Sequence, residues 1–163
     1  MCIRDSFKTW TVGDPLVEGT RIGALIDEKH MNNILGYIKA GVEEGGRIIL
    51  GGQRIRQETG GYYIEPTIFD DVSNQMTIAR EEIFGPVLSV ITFSSVEEAI
   101  AIANDTPYGL AASLYTNNLH TAHKVSRAIR AGTVSVNCFS EGDQSVPFLS
   151  LIHISEPTRL RRI

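Results

Sequence analysis

Apolar residues recur every three or four positions after Asp27, which is the spacing of one face of an α-helix. The apolar positions on this predicted face are Met31, Ile34, Leu35, Ile38 and Val42. Asp27 can cap the first turn and Gly45-Gly46 can stop the last. The next stretch, RIILGG, favours a short buried strand, and GGYYIEPTIFDDV favours extended chain with a bend at Pro66.

Strands and helices alternate in the rest of the chain. Three β-rich stretches are predicted strands: VLSVITF, LAASLYT and TVSVN. Ser95 and Glu98 form the pattern of a capping box, which predicts a helix running to about Asn104. Asn118 can cap a second helix, which Gly132 would end. The apolar face of that helix is Leu119, Ala122, Val125 and Ile129. Short connections between these elements predict right-handed βαβ units and a parallel, Rossmann-like α/β sheet.

Composition excludes several classes of protein. The 163 residues fit one domain, with 42% apolar and 21% charged residues, as in ordinary globular proteins. No apolar run reaches the length of a membrane span, no export signal opens the chain, and two cysteines make no disulfide framework. A cytoplasmic location is therefore expected. The net charge of −4, without a basic block in the body, argues against a nucleic acid or membrane partner.

The two ends of the chain break with the pattern of the body. Residues 149–163 bring apolar residues, a proline and three arginines without periodicity. One inverted DNA repeat can encode both ends, because ATG TGT ATA AGA GAC AG can begin MCIRDS and its reverse complement encodes LSLIH. That string resembles the transposon end used to tag sequencing libraries. We therefore expect residues 1–6 and 149–163 to be library sequence and residues 7–148 to be the native body.

Glycines, a cysteine and three histidines are further candidates for chemistry. GGQRIRQETGG lacks both the dinucleotide fingerprint and the lysine of a phosphate-binding loop, so it favours a hairpin or loop. Cys138 ends a predicted strand with no nearby histidine or basic residue to stabilise a thiolate, which favours a structural thiol over a nucleophile. His30, His120 and His123 lack ligand spacing supported by a third group, so no metal site is predicted.

The stretch AREEIFGPV is the most specific pattern in the chain. Glu81 and Glu82 precede Phe84 and a Gly-Pro corner. Taken singly, these residues are explained as a solvated acidic pair and a core aromatic. Taken together, a fixed carboxylate can accept hydrogen bonds from both hydroxyls of a ribose while the aromatic packs against an attached ring. The structural and the nucleotide-binding interpretations both stay open on this pattern alone.

Five stretches, in order and at matching spacing, resemble the NAD(P)-dependent aldehyde dehydrogenase superfamily. They are VGDPL, GYYIEPTIF, REEIFGPVLSVITF, ANDTPYGLAASLYT and RAGTVSVNCFSEGD. The resemblance covers residues 7–148 and implies the C-terminal part of the catalytic domain, with its parallel-sheet α/β fold. Within the family, VNCFSEGDQSVPF most resembles bacterial enzymes that oxidise γ-glutamyl-γ-aminobutyraldehyde in polyamine catabolism.

The resemblance also implies roles for individual residues. In the family a cysteine thiolate attacks the aldehyde, hydride passes to the nicotinamide, and a glutamate activates the water that hydrolyses the thioester. Both residues are implied to lie upstream of this chain, which is therefore expected to be inactive, with no catalytic residue of its own. Glu82 is implied to hold the nicotinamide ribose of NAD or NADP, and Phe84 to pack beside the nicotinamide. Phe148 is implied to line the aldehyde tunnel, and Glu141 and Asp143 could meet the α-ammonium group of a glutamylated aminoaldehyde.

Two alternatives remain beside this interpretation. In the first, the protein belongs to the same family but oxidises another amino- or semialdehyde. The parent enzyme is expected to be a homodimer or homotetramer in either case. The second is a naturally truncated, non-enzymatic α/β module that binds nucleotide or a dehydrogenase partner through its sheet edge. An open reading frame continuing in both directions in the parent DNA would favour the enzyme. Start and stop codons flanking the body would favour the module.

Overall fold

A computed structural model describes residues 3–139 and Ser150. The chain divides into two compact units, Met1–Thr92 and Phe93–Ile163. The elements described in the first unit are α1 (Ile3–Phe7), β1 (Thr11–Val12), β2 (Thr20–Ile22), α2 (Glu28–Glu43), β3 (Arg47–Leu50), β4 (Arg54–Ile55), a 3-10 turn (Gln57–Thr59), β5 (Tyr63–Ile64), β6 (Thr67–Asp70), α3 (Thr77–Arg80) and β7 (Val87–Ser89). Those described in the second are α4 (Val96–Asn104), β8 (Ala111–Leu114), α5 (Leu119–Ala128) and β9 (Thr133–Val136).

The predicted helix α2 begins and ends where its sequence indicates. The carboxylate of Asp27 accepts a hydrogen bond from the His30 N–H at 2.6 Å, and Gly45 follows the last turn with a φ of 102°. Its buried face is Met31, Ile34, Ile38 and Gly41. The prediction was wrong for Val42, which is 49% exposed because it lies on the flank of that face.

The core of the first unit lies between α2 and the strand β6. The buried cluster is Met31, Ile34, Ile38, Ile64, Phe69, Val72 and Ile78. Gly41 lets the helix approach closely, because a Cβ there would lie 2.9 Å from the Ile78 side chain and 3.1 Å from the Phe69 ring. Because this contact leaves no empty space, α2 cannot shift toward the sheet without displacing core side chains.

A three-stranded sheet in the order β3-β6-β7 forms beside this core. The predicted strand RIILGG is confirmed as β3, which pairs antiparallel with β6, whereas β7 pairs parallel with β6. Pro66 lies at the predicted bend, between β5 and β6. The adjacent hydroxyl of Thr67 is fully buried and satisfied, because it donates to the Glu65 carbonyl and accepts from the Gly52 N–H.

The predicted strand VLSVITF is shorter in the structure and ends at Ser89. One further hydrogen bond, from the Val90 N–H to the Phe69 carbonyl at 2.9 Å, prolongs the pairing. The partner strand β6 then ends at Asp70, and Asp71 adopts a left-handed backbone with a φ of 57°. Beyond that point β6 offers β7 no further hydrogen bonds, so the length of one strand limits the other.

The second unit contains the predicted parallel βαβ arrangement. Strands β8 and β9 pair in parallel, from Ala111↔Thr133 to Leu114↔Val136, and α5 connects them. The α/β class with parallel strands is thus confirmed. Both predicted caps are present, since the Ser95 hydroxyl accepts from the Glu98 N–H at 3.1 Å and the Asn118 side chain accepts from the helix that follows it.

Two details of these helices differ from the prediction. The Glu98 carboxylate accepts from the N–H and hydroxyl of Ser94, one residue earlier than in the standard capping box. Helix α5 ends at Ala128 and not at Gly132, because the Asn104 side chain binds the Ala128 carbonyl and the Arg130 N–H, each at 2.8 Å. Its first apolar position, Leu119, is 73% exposed.

Candidate functional site

The stretch singled out in the sequence forms a turn between α3 and β7, residues 81–86. Its first residue, Glu81, ends α3 and donates its N–H to the Thr77 carbonyl at 3.0 Å. Its last residue, Pro86, accepts a hydrogen bond from the N–H of Thr67, the first residue of β6, at 2.8 Å. The turn is therefore fixed at both ends to regular elements of the first unit.

One face of α2 holds the interior of this turn at three points. The Tyr37 hydroxyl donates to Glu81 Oε2 at 2.7 Å, and His30 Nε2 lies 2.8 Å from the carbonyl oxygen of Phe84. Between them, Ile34 packs beneath Gly85, where a Cβ would lie 2.6 Å from the Ile34 Cδ1 atom. Spacings of four and three residues place these three side chains on the same helix face.

The two adjacent carboxylates consequently differ in their surroundings. Glu81 is tied to α2 through Tyr37. Glu82 is exposed and makes no hydrogen bond or ion pair with any residue that the structure describes. A carboxylate whose acceptor oxygens are unused, attached to a fixed backbone, is available to hydroxyl donors of a ligand.

Phe84 lies within the turn, where the residue is 75% exposed and its φ is 52°. A large aromatic ring exposed to this degree is a binding feature where it adjoins polar groups that can fix a ligand. The turn therefore presents an acceptor, Glu82, and an apolar ring, Phe84, on one short segment. That pair can hold a ribose by its hydroxyls and a planar ring by its face.

The other predicted candidates fall outside this turn. The three predicted substrate residues, Phe148, Glu141 and Asp143, lie outside the described residues. Cys138 is half-buried just after β9. The glycine-rich GGQRIRQETGG contains β4 and the loop that connects it to β5 in an antiparallel hairpin, as its pattern predicted.

Within residues 3–139, no group of three histidine, cysteine, aspartate or glutamate side chains could hold a metal ion. None of the helices in the described part of the chain is long and apolar enough to cross a membrane.

Sequence reasoning missed Tyr37, and it considered His30 only as a possible metal ligand. Each contacts a residue far along the chain, at separations of 54 and 44 residues. The available signal was their common helix face with Ile34, but nothing in the sequence indicates what lies against that face.

Comparison with known proteins identifies the class to which this fold and turn belong. The sequence matches the aldehyde dehydrogenase family over residues 3–149. Aminoacetaldehyde dehydrogenase of Pseudomonas aeruginosa is 48% identical over 141 residues, which are 86% of this chain and 28% of that protein.

Solved structures agree with the sequence comparison. An indole-3-acetaldehyde dehydrogenase complexed with NAD+ superposes with a TM-score of 0.88 at 55% identity, over 91% of this chain and 30% of that one. A γ-glutamyl-γ-aminobutyraldehyde dehydrogenase from Burkholderia cenocepacia J2315 has a TM-score of 0.84 at 53% identity, over 88% of this chain and 29% of that one.

The chain therefore belongs to the aldehyde dehydrogenase family. It spans less than a third of the length of each of these three relatives.

Proposed function

We propose that this chain is a segment of an NAD(P)-dependent aldehyde dehydrogenase and that its turn of residues 81–86 contacts the cofactor. The observation that carries the proposal is the contrast between Glu81, which is bound to Tyr37, and Glu82, whose carboxylate is exposed and unoccupied by any described residue. A relative with 55% identity was solved with NAD+. That relative supports a dinucleotide as the ligand.

The residues of the turn fit such a cofactor. Glu82 would accept hydrogen bonds from the two hydroxyls of the nicotinamide ribose, and Phe84 would pack beside the nicotinamide ring. The cofactor, when bound, supplies the acceptor for the hydride that leaves the substrate carbon. The chain's own contribution is to orient the ribose through a carboxylate that needs no rearrangement, because α2 already holds the Glu81 side chain before it and the Phe84 carbonyl after it.

The remaining chemistry is proposed to come from residues outside this chain. A cysteine thiolate would form a thioester with the substrate, and a glutamate would activate the water that hydrolyses it. The chain alone would accordingly be inactive, and an assay of the purified chain with aldehyde and NAD+ is expected to give no NADH. Formation of NADH would contradict this assignment of the nucleophile.

We propose an aminoaldehyde as the substrate class. Two of the similar proteins are named for aminoacetaldehyde and γ-glutamyl-γ-aminobutyraldehyde. Glu141 and Asp143 would bind the ammonium end of such a substrate, and Phe148 would line its path. A third relative is named for indole-3-acetaldehyde, which keeps another aldehyde as the alternative. The kcat/KM values of the complete enzyme for these three aldehydes would decide between them.

The cofactor contact is tested by titrating the chain with NAD+ and following backbone NMR signals of residues 81–86. Glu82→Gln keeps the shape of the side chain and removes its charge, so NAD+ should bind about tenfold more weakly. Glu58→Gln, at an exposed position of the β4–β5 hairpin, is the matched control and should leave the affinity unchanged. Equal affinities of the wild type and Glu82→Gln would contradict the proposed contact.

A further inference from the structure

The backbone of Phe84 has a conformation that is unfavourable for a non-glycine residue. Its φ of 52° lies in the left-handed region, where the Cβ of a non-glycine residue is crowded. The residue is 75% exposed, so packing of its ring against the protein does not hold this conformation. The conformation must therefore be held through contacts of the backbone around it.

His30 makes that contact with the carbonyl group of Phe84. The two atoms, Nε2 and the carbonyl oxygen, are 2.8 Å apart. A carbonyl oxygen only accepts, so Nε2 carries the proton, and it does so both in one neutral tautomer and in the imidazolium. The backbone of His30 is itself fixed, since its amide N–H donates to the capping Asp27 carboxylate at 2.6 Å.

The next turn of α2 prevents the peptide after Phe84 from shifting toward the helix. Gly85 lies so close to Ile34 that an added Cβ would be 2.6 Å from Ile34 Cδ1. Ile34 is completely buried and cannot move aside without disturbing the core. His30 thus holds the carbonyl oxygen of Phe84 while Ile34 holds the neighbouring α-carbon.

We propose that His30 is a positioning residue for the turn of residues 81–86. It keeps Phe84 left-handed by binding its carbonyl oxygen, and the direction of the exposed ring follows from that backbone conformation. The proposal rests on the proposed function for its consequence, which is correct placement of the Phe84 ring beside the nicotinamide. Without the His30 donor, the Phe84–Gly85 peptide would be free to rotate, and the ring would leave its prepared position.

The experiment compares four forms of the full chain: wild type, His30→Ala, His30→Gln and the exposed control His120→Ala. NMR coupling constants of Phe84 report the sign of its φ, and an NAD+ titration gives the affinity. We expect His30→Ala to lose the positive φ in a large fraction of molecules and to bind NAD+ about fivefold more weakly. The Gln variant retains an N–H donor, so it should keep both properties, as should the control.

The two readouts separate the possible failures. A positive φ and unchanged affinity in His30→Ala would overturn the positioning role. If the wild type binds no NAD+, the cofactor proposal fails for this chain, while the Phe84 couplings still decide whether His30 sets the turn. Should His30→Ala unfold, His30→Leu takes its place, because leucine fills the space without supplying a donor.

Discussion

The two units of this chain carry amphipathic helices of similar pattern but surround them differently. Every hydrophobic residue that is fully buried in the described chain lies within residues 3–92. The helices α4 and α5 of the second unit contain no buried residue at all. A periodic pattern therefore predicts which face of a helix is apolar, but it does not indicate how much of that face the same unit covers.

In the second unit, polar side chains join neighbouring elements through hydrogen bonds. Asn104 bridges the end of α4 to the end of α5. Asn137, with a φ of 57°, exchanges two hydrogen bonds with the backbone of Thr116 at 2.8 and 3.0 Å, which extends the pairing of β8 and β9. These bonds fix geometry without the burial that stabilises the first unit.

The largest expected effect comes from removing the same side chain from a helix in each unit. Ile38→Ala in α2 empties a site that is 5% exposed, and should lower the free energy of unfolding of the first unit by about 2–5 kcal/mol. Ile100→Ala, at a half-buried position of α4, should lower the free energy of unfolding of the second unit by only about 1 kcal/mol. Amide hydrogen exchange reports each unit separately. Similar losses of unfolding free energy in both units would show that burial of the helix face does not differ between them.

An intermediate effect is expected from the polar bridge of the second unit. Asn104→Ala leaves the Ala128 carbonyl and the Arg130 N–H without their partner, so it should cost about 1–3 kcal/mol. It should also let α5 extend toward Gly132, which backbone chemical shifts would show. Asn117→Ala removes the same side chain from an exposed turn and should change stability by less than about 0.5 kcal/mol. An unchanged α5 end would show that Asn104 does not terminate the helix.

The sequence predicted the features that depend on nearby residues. Helix α2, its Asp27 cap and the strand β3 follow from local periodicity and capping chemistry. The antiparallel pairing of β3 and the early end of β7 depend on β6, a partner that no local pattern identifies. In the candidate site, resemblance predicted Glu82 and Phe84, whose contact with a cofactor stays a prediction. The bonds from His30 and Tyr37 cross more than forty residues of chain, so only the folded structure brings them together.

The smallest expected effect concerns two adjacent carboxylates of the second unit. The hydrogen bond from Lys124 in α5 lowers the pKa of Glu97, whereas the hydrogen bond from the neighbouring Ser94 lowers the pKa of Glu98. A pKa lowered by folding means that each group favours the folded state above its ordinary pKa of about 4.3, and that this contribution disappears as the pH falls through the lowered value.

Carboxyl NMR titrations distinguish these two sources of the shift. Lys124→Met should raise the pKa of Glu97 toward its ordinary value and leave that of Glu98 unchanged, because only Glu97 depends on a charge from the other helix. Concentrated salt should act in the same direction on Glu97, since it screens an exposed ion pair more than a hydrogen bond to a hydroxyl. If Glu98 responded as strongly as Glu97, the contact between α4 and α5 would not be the cause. The Lys124–Glu97 ion pair would then be no electrostatic link between α4 and α5, unlike the hydrogen bonds by which Asn104 joins their ends.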